Sequence, residues 1–237
     1  MIESFISKGQ AELKAFYNPY FNTDTELEAF LFDALDYENG SISKRQMLYQ
    51  VQRFVSLAND IDKLRPGRDC LRMLFIKICL ESLCSLSGYT ERQKNLFYDK
   101  FVDCFSEIGE QYILNHFWLS SFDDECFGHV FEVEYEISLI DFFELIKVAR
   151  DLVVHEGRYW EIQFFAYDDN SIWVVPVTTK KRILKSYNYQ SKEKRNATYH
   201  FQTTLNYEKF IFFFVEACVN YIKSICSEKR IGDRSLQ

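Results

Sequence analysis

The chain is poor in the residues that most often interrupt regular structure, with 8 glycines and 3 prolines among 237 residues. This shortage argues against a turn-rich all-β protein and against long disordered linkers. Long apolar runs are missing too. The longest, Phe210 to Val215, is followed by Glu216 and is far too short to span a bilayer. The composition therefore predicts no membrane segment.

Paired cysteines are also missing, since the seven cysteines include no CxxC pair. An odd count without such pairs is not the pattern of a disulfide framework. Cys79 and Cys84 lie in an apolar helical pattern and are predicted to be buried thiols. The first 30 residues carry several acidic side chains, beginning with Glu3, so they do not form a secretory apolar segment. We expect a cytoplasmic location.

Charge is unevenly distributed along the chain. The net charge of −7 argues against strong non-specific binding of nucleic acid. Residues 180–195 nevertheless hold seven basic side chains and one acidic one, while residues 123–144 hold eight acidic side chains and no Lys or Arg. This polarity predicts a local basic patch or a head-to-tail electrostatic contact. A solvated charged face is the alternative.

Helical periodicity dominates the chain. The fourth predicted helix is apolar over most of its circumference, which is typical of a helix central to a bundle. Residues 110–121 also fit a helix, and residues 122–135 fit a loop with strand character at 130–135. The helices predicted from apolar spacing and capping residues are Glu3–Phe16, Thr25 to about Asp36, Ser41 or Ser43 to about Leu64, Arg68–Leu86, Glu91–Ile108, Ile137 to about His155, and Thr204 or Asn206 to about Cys226.

One stretch changes from helical to strand periodicity. Tyr159–Tyr167 and Ser171–Thr178 are rich in β-branched and aromatic residues, and Asp168-Asp169-Asn170 joins them, which predicts a hairpin. The predicted fold is all-α, a helical bundle with this short hairpin inserted after the helix that ends at His155. We see no internal repeat and no linker, so a single domain over residues 1–237 is expected, with a polar tail at 227–237.

Two segments place an arginine five positions before a histidine, Arg150–His155 and Arg195–His200. A permanent cation and a proton-transferring group close together supply the chemistry of a metal-free ribonuclease. The second pair lies in a polar, poorly helical segment, where nothing fixes the two side chains against a core. Preorganisation is what catalysis requires, so the first pair is the stronger candidate.

The predicted helix over residues 137–155 has one apolar and one polar side. Because His155 falls on the polar side, it does not fit a satisfied core histidine. A surface histidine in a charge ladder, favoured by the helix dipole, remains the alternative. The apolar side holds Leu139, Phe142, Leu145, Ile146, Val148, Ala149, Leu152 and Val153, and the polar side holds Asp141, Glu144, Lys147, Arg150, Asp151 and His155.

Arg150, Asp151 and His155 resemble the signature of the HEPN superfamily (higher eukaryotes and prokaryotes nucleotide-binding domain). That signature is an arginine, a polar residue, two to four further residues and a histidine. The resemblance covers residues 65–226, with residues 1–64 as additional N-terminal helices. It implies a metal-independent endoribonuclease without a cofactor, often a toxin or antiviral effector. It also implies a homodimer in which two motif helices face each other, and an antitoxin or regulatory protein as a partner.

Two positions depart from the family pattern. Asp151 stands where Asn is commoner, which places a negative charge where RNA phosphates would approach. The variant paired with a nucleotidyltransferase antitoxin carries a tyrosine two places after the histidine. That place is Gly157 here, with Tyr159 further on. The chain therefore departs from that variant at this position.

The expected mechanism assigns one role to each motif residue. His155 would act as general base or general acid, because its usual pKa of about 6.5 suits either role. Arg150 would clamp the phosphate, and Asp151 would orient the imidazole. A spacing of five puts Arg150 and His155 about 140° apart on one helix. Two facing helices would therefore form a better site than one, which predicts a homodimer with a composite site.

The basic segment supplies the candidate RNA-binding residues Lys180, Lys181, Arg182 and Lys185, with a mobile basic loop as the alternative. The main rival function is a non-catalytic module of HEPN type that binds a nucleotide, RNA or a partner protein. A metal enzyme built on Cys126, His129 and His116 has little support, because these residues lack a second metal-binding pair.

Overall fold

The computed structural model describes residues 2–35, 42–122, 130–132, 137–143, 146–147, 164, 173–177 and 198–234. Within them the chain is mostly helical, which confirms that part of the prediction. None of the helices in these ranges is long and apolar enough to cross a membrane. The helices are α1 (Ile2–Tyr17), α2 (Asp24–Leu35), α3 (Ile42–Leu64), α4 (Asp69–Leu86), α5 (Lys94–Val102), α6 (Glu107–Asn115), α7 (helical at 139–143 and 146–147) and α8 (Tyr207–Arg234).

Helix α4 ends at a glycine. Gly88 has a φ of 83°, in the left-handed region that glycine reaches without a Cβ clash. The N–H of Tyr89 donates to the carbonyl of Cys84, and the N–H of Gly88 donates to that of Ser85. This pair of bonds closes the C-terminus of α4 as a Schellman motif.

The single helix predicted over Glu91–Ile108 is wrong, because α5 and α6 are separate. Side chains of α8 hold the break between them. Asn220 Nδ2 donates to the carbonyl of Cys104 (3.0 Å), and the Ser106 hydroxyl donates to Glu216 (2.7 Å). These partners are more than 100 residues away in sequence, so local periodicity carried no signal for the break.

Four antiparallel strands form one sheet in the order β2-β1-β4-β3, with β1 at Phe117–Phe122, β2 at Val130–Glu132, β3 at Trp173–Val177 and β4 at Thr198–Thr203. The helix expected over 110–121 is thus wrong beyond Asn115. In the register, Phe201 of β4 lies opposite Leu119 of β1 and Val175 of β3. The β structure is therefore more extensive than a hairpin.

The predicted hairpin is only partly matched. Strand β3 falls within the predicted strand Ser171–Thr178, but it pairs with β4, which lies in a segment described from the sequence only as polar and poorly helical. Of the predicted first strand, Tyr159–Tyr167, only Phe164 is among the described residues, and it is not in a strand. Strands β3 and β4 are separated by about 20 residues of sequence. A turn signal predicts pairing only between strands that the turn itself joins, so it cannot predict this pair.

The chain folds into two compact units. The first comprises Met1–Leu57, Ile78–Ser106 and Ile211–Gln237, and the second comprises Ala58–Lys77 and Glu107–Phe210. Both are assembled from segments distant in sequence, and helices α3, α4 and α8 contribute residues to each. The single domain over residues 1–237 stays a prediction.

The core of the first unit is aromatic. The ring of Phe101 lies within 6.0 Å of the rings of Phe97, Phe214 and Tyr221. Two cysteines of α4 belong to this unit: Cys79 and Cys84 are both buried, as predicted. The core of the second unit joins β1, α7 and α8, because the ring of Phe142 packs edge-on against Phe117 and Phe210.

Candidate functional site

The predicted catalytic and RNA-binding residues lie outside the described part of the chain. These residues are Arg150, Asp151, His155, Lys180, Lys181, Arg182 and Lys185. Of the weaker pair, Arg195 also lies outside, while the backbone of His200 lies in β4 opposite Ser120 and Pro176.

The start of α7, the predicted motif helix, is described, and a capping box fixes it. The N–H and the hydroxyl of Ser138 both donate to Asp141 Oδ2 (3.0 and 2.8 Å), and the N–H of Asp141 donates back to Ser138 Oγ (3.3 Å). This reciprocal pair satisfies backbone donors that a helix N-terminus leaves without partners. Helix α7 therefore starts at a defined residue.

Helix α7 has the sidedness predicted for the motif helix. Leu139, Phe142 and Ile146 are buried, whereas Lys147 is exposed. Asp141 is the exception: it was assigned to the polar side, yet it is 6% exposed. Its position in the capping box explains the burial, because its carboxylate accepts two hydrogen bonds there.

Removing the cap should weaken this unit measurably. We expect Ser138→Ala to lower the free energy of unfolding by about 1 kcal/mol, the usual effect of losing an N-cap side chain. Ser138→Thr is the matched control, since threonine keeps the hydroxyl and should stay close to wild type. Urea unfolding of the three proteins measures the difference. Equal loss in both variants would show that packing at residue 138, rather than the cap, is responsible.

A second polar feature lies in the same unit, and we call it the Asp69 cluster: Asp69, Arg72, Phe164 and Tyr207. Asp69 Oδ1 accepts from Arg72 Nη1 (3.0 Å), and Asp69 Oδ2 accepts from the N–H of Phe164 (2.8 Å). The guanidinium of Arg72 lies 4.1 Å from the centre of the Tyr207 ring, which packs edge-on against the ring of Phe164 at 5.1 Å. The four residues thus form a closed circuit of contacts.

Two residues of α3 extend the Asp69 cluster. Asp62 pairs with Arg72 Nη2 (3.2 Å), and Asn59 Oδ1 accepts from the hydroxyl of Tyr207 (2.7 Å). Among the described residues, Arg72 Nε is buried without a hydrogen-bond partner. Two carboxylates and an aromatic ring already contact this guanidinium. The Asp69 cluster therefore stabilises the fold rather than offering Arg72 to a phosphate.

Burial dominates the electrostatics of Asp69. Desolvation raises the pKa of its carboxyl above the usual value, although the Phe164 N–H and the Arg72 guanidinium both act to lower it. The first-turn position in α4 makes Asp69 and Arg72 neighbours at i and i+3. That spacing is visible in the sequence, but the contact with Phe164 is not.

Phe210 of α8 connects the two features. The ring of Phe142 lies 5.6 Å from the Phe210 ring, and the ring of Phe164 stacks on it at 5.7 Å. Phe142 precedes the Arg150–His155 segment and Phe164 follows it. Phe142 and Phe164, which lie on either side of the motif in the sequence, thus both pack against the Phe210 ring.

His116 is the one histidine whose side chain is described. Its Nδ1 lies 2.8 Å from the carbonyl of Tyr112 and must carry the proton, because a carbonyl only accepts. This bond caps the end of α6 and fixes the ring. Cys126 and His129 lie outside the described residues, and no group of three potential metal ligands occurs within them.

Comparisons with known proteins found no matching family model, no matching curated protein and no matching solved structure.

Proposed function

We propose that the chain is a metal-independent endoribonuclease of HEPN type, with Arg150, Asp151 and His155 as its catalytic residues. The observation that carries the proposal is the described start of the motif helix, which begins at Ser138, buries one side and exposes Lys147. Lys147, Asp151 and His155 are spaced at i, i+4 and i+8, the spacing of residues on one helix face. A helix that keeps this phase would present the motif away from the core.

The proposed reaction is an internal transesterification of RNA. His155 takes the proton of a ribose 2′-OH, the 2′-oxygen attacks the adjacent phosphorus, and the bond from phosphorus to the 5′-oxygen breaks. The 5′-oxygen leaves with a proton from a protonated imidazole, and the other product is a 2′,3′-cyclic phosphate. Arg150 offsets the negative charge that develops on the phosphate oxygens.

A homodimer completes this proposal. On one helix, a spacing of five residues would put Arg150 and His155 about 140° apart, so one copy would engage a single phosphate poorly and two facing copies would do it better. Lys180, Lys181, Arg182 and Lys185 would contact the RNA backbone. A toxin or antiviral role, with an antitoxin or regulatory protein as partner, follows from the resemblance alone.

A non-catalytic module that binds RNA, a nucleotide or a protein is the second candidate. The charge of Asp151 and the net charge of −7 favour it, because both repel a polyanion. The two candidates differ in whether the RNA chain is broken.

The test is incubation of purified wild type and His155→Ala with mixed RNA, without metal and with EDTA. We expect the wild type alone to cut the RNA and leave 2′,3′-cyclic phosphate ends. RNA with 2′-O-methyl groups should resist, because it lacks the attacking hydroxyl. If neither protein cuts, or both cut equally, the enzyme proposal fails. Binding of intact RNA would then favour the non-catalytic module.

A further inference from the structure

One end of the sheet gathers a terminus from each of its four strands. Strand β1 ends at Phe122, which lies opposite Thr198, the first residue of β4. Strand β3 ends at Val177, opposite Tyr199 of β4, and β2 begins at Val130, opposite Phe122. We call this the Phe122 end of the sheet. The four strands belong to the second unit, so their register defines this end without reference to the first unit.

Two connections of opposite charge join the strands at the Phe122 end. Residues 123–129, between β1 and β2, hold three carboxylates and no Lys or Arg, and we call them the acidic connection. Residues 178–197, between β3 and β4, hold seven basic side chains and one carboxylate, and we call them the basic connection. Both lie outside the described residues, but the strand ends that anchor them lie within. Because neighbouring strands are about 4.8 Å apart, all four anchors fall within about 15 Å.

The register indicates which charged residues come level first. Continued past Phe122 and Thr198, the β1–β4 register would bring Glu125 level with Arg195. The β3–β4 register, continued in the same way, would bring Lys181 to that level. At about 3.3 Å per residue, this level is about 10 Å beyond the last pair of β1 with β4. The sheet therefore starts the acidic connection directly beside the basic one.

We propose that the acidic connection pairs with the basic connection within one chain, and that single-stranded RNA binds the basic connection by displacing the acidic one. The carboxylates would compete with phosphates for the same cations. The proposal rests on the proposed function in one respect only, the assignment of the basic segment to RNA, and it uses no step of the cleavage reaction.

Pairing between two copies is the alternative, because the same charges could meet head to tail. The topology favours pairing within one chain, since segments anchored side by side meet at a high effective concentration. This contact also assigns a different role to the second Arg–His pair. His200 lies within β4, between β1 and β3, whereas Arg195 precedes the strand on the side of the acidic connection. Arg195 would thus pair with carboxylates and take no part in catalysis.

The first test removes the carboxylates and measures binding. The triple variant Asp123→Asn, Asp124→Asn, Glu125→Gln should bind a labelled single-stranded oligodeoxynucleotide about tenfold more tightly than the wild type at about 0.1 M salt. DNA lacks the 2′-hydroxyl, so the proposed reaction cannot cut this probe. Three freed cations should also steepen the dependence of log affinity on log salt by about 2, at about 0.7 per phosphate contact. Fluorescence anisotropy measures both quantities, and circular dichroism checks the fold.

The matched control removes the same charge from α5 and α6. Asp99→Asn, Asp103→Asn and Glu110→Gln change exposed residues and should alter the affinity less than about twofold. Equal tightening in both triple variants would show an effect of net charge alone and would overturn the proposal. So would unchanged affinity, or no binding by any of the proteins. His155→Ala should bind as the wild type does, so failure of RNA cleavage would leave this result standing.

The second test detects the contact directly. A water-soluble carbodiimide activates a carboxyl group, which then forms an amide with a lysine amine in contact and releases the urea. We expect amide links from the acidic connection to lysines of the basic connection, and fewer of them when the oligodeoxynucleotide is present. In a mixture of isotope-labelled and unlabelled protein, mass spectrometry should find these links within one chain. Links only between labelled and unlabelled chains would show head-to-tail pairing, and either that result or the absence of links overturns the proposal.

Discussion

Replacement of His155 by alanine is expected to lower the rate of metal-free RNA cleavage by roughly 10²–10⁴-fold, the usual contribution of a general acid or base. Without the imidazole, no group at this position can take the 2′-hydroxyl proton. Single-turnover cleavage of a labelled RNA measures the effect.

His116→Ala is the matched control for this variant. The His116 ring bonds the Tyr112 carbonyl at the end of α6, so its loss should affect stability rather than the rate of cleavage. If His116→Ala loses as much activity as His155→Ala, cleavage depends on folding and His155 has no special role.

Asp151→Asn tests the departure from the family pattern: removal of a negative charge should lower the KM for RNA.

Asp69→Ala is expected to lower the free energy of unfolding by about 3 kcal/mol, near the lower end of the range for breaking a buried ion pair. The substitution removes the acceptor for the Phe164 N–H and one of the two carboxylates on Arg72. Asp62 still pairs with Arg72, which limits the loss. For a protein stabilised by about 5–15 kcal/mol, this is a large fraction. Urea unfolding measures it.

Asp69→Asn separates the hydrogen bond from the charge. Its amide oxygen can still accept from the Phe164 N–H, so the loss should be smaller than with alanine, about 1–2 kcal/mol. A loss as large as that of Asp69→Ala would show that the charge on Asp69, rather than its bond to Phe164, stabilises the cluster.

The pH dependence of stability follows from the direction of the Asp69 pKa shift. Burial raises the pKa of Asp69 in the folded state, so the folded protein binds this proton at a higher pH than the unfolded chain. The free energy of unfolding of the wild type should therefore rise, relative to Asp69→Asn, as the pH falls toward the usual carboxyl value of 3.8. A relative decrease would mean that pairing with Arg72 outweighs burial.

Local signals in the sequence predicted much of the helical structure. Helices α1 to α4 begin and end within about two residues of the predicted bounds, as expected where caps and glycines such as Gly88 mark the ends. The separation of α5 from α6 and the pairing of β3 with β4 depend on partners distant in sequence. Periodicity within a short window cannot carry that information.

For the candidate site, the sequence predicted which side of α7 is buried at its described positions, but not the surroundings of that helix. Burial of Leu139 and Ile146 and exposure of Lys147 agree with the predicted helix sides. The Asp69 cluster was missed because Asp69 and Phe164 are 95 residues apart. Asp141 was misassigned because capping buried a residue that periodicity had placed on the polar side.

Helix α8 has a consequence for the order of events during synthesis. Phe210 completes the core of the second unit, and Phe214 and Tyr221 complete that of the first. Neither core can be completed until α8 has left the ribosome. Apolar side chains made earlier, such as those of α4, therefore stay exposed to solvent until then. Nascent chains of this protein should therefore depend on chaperones until the final helix emerges.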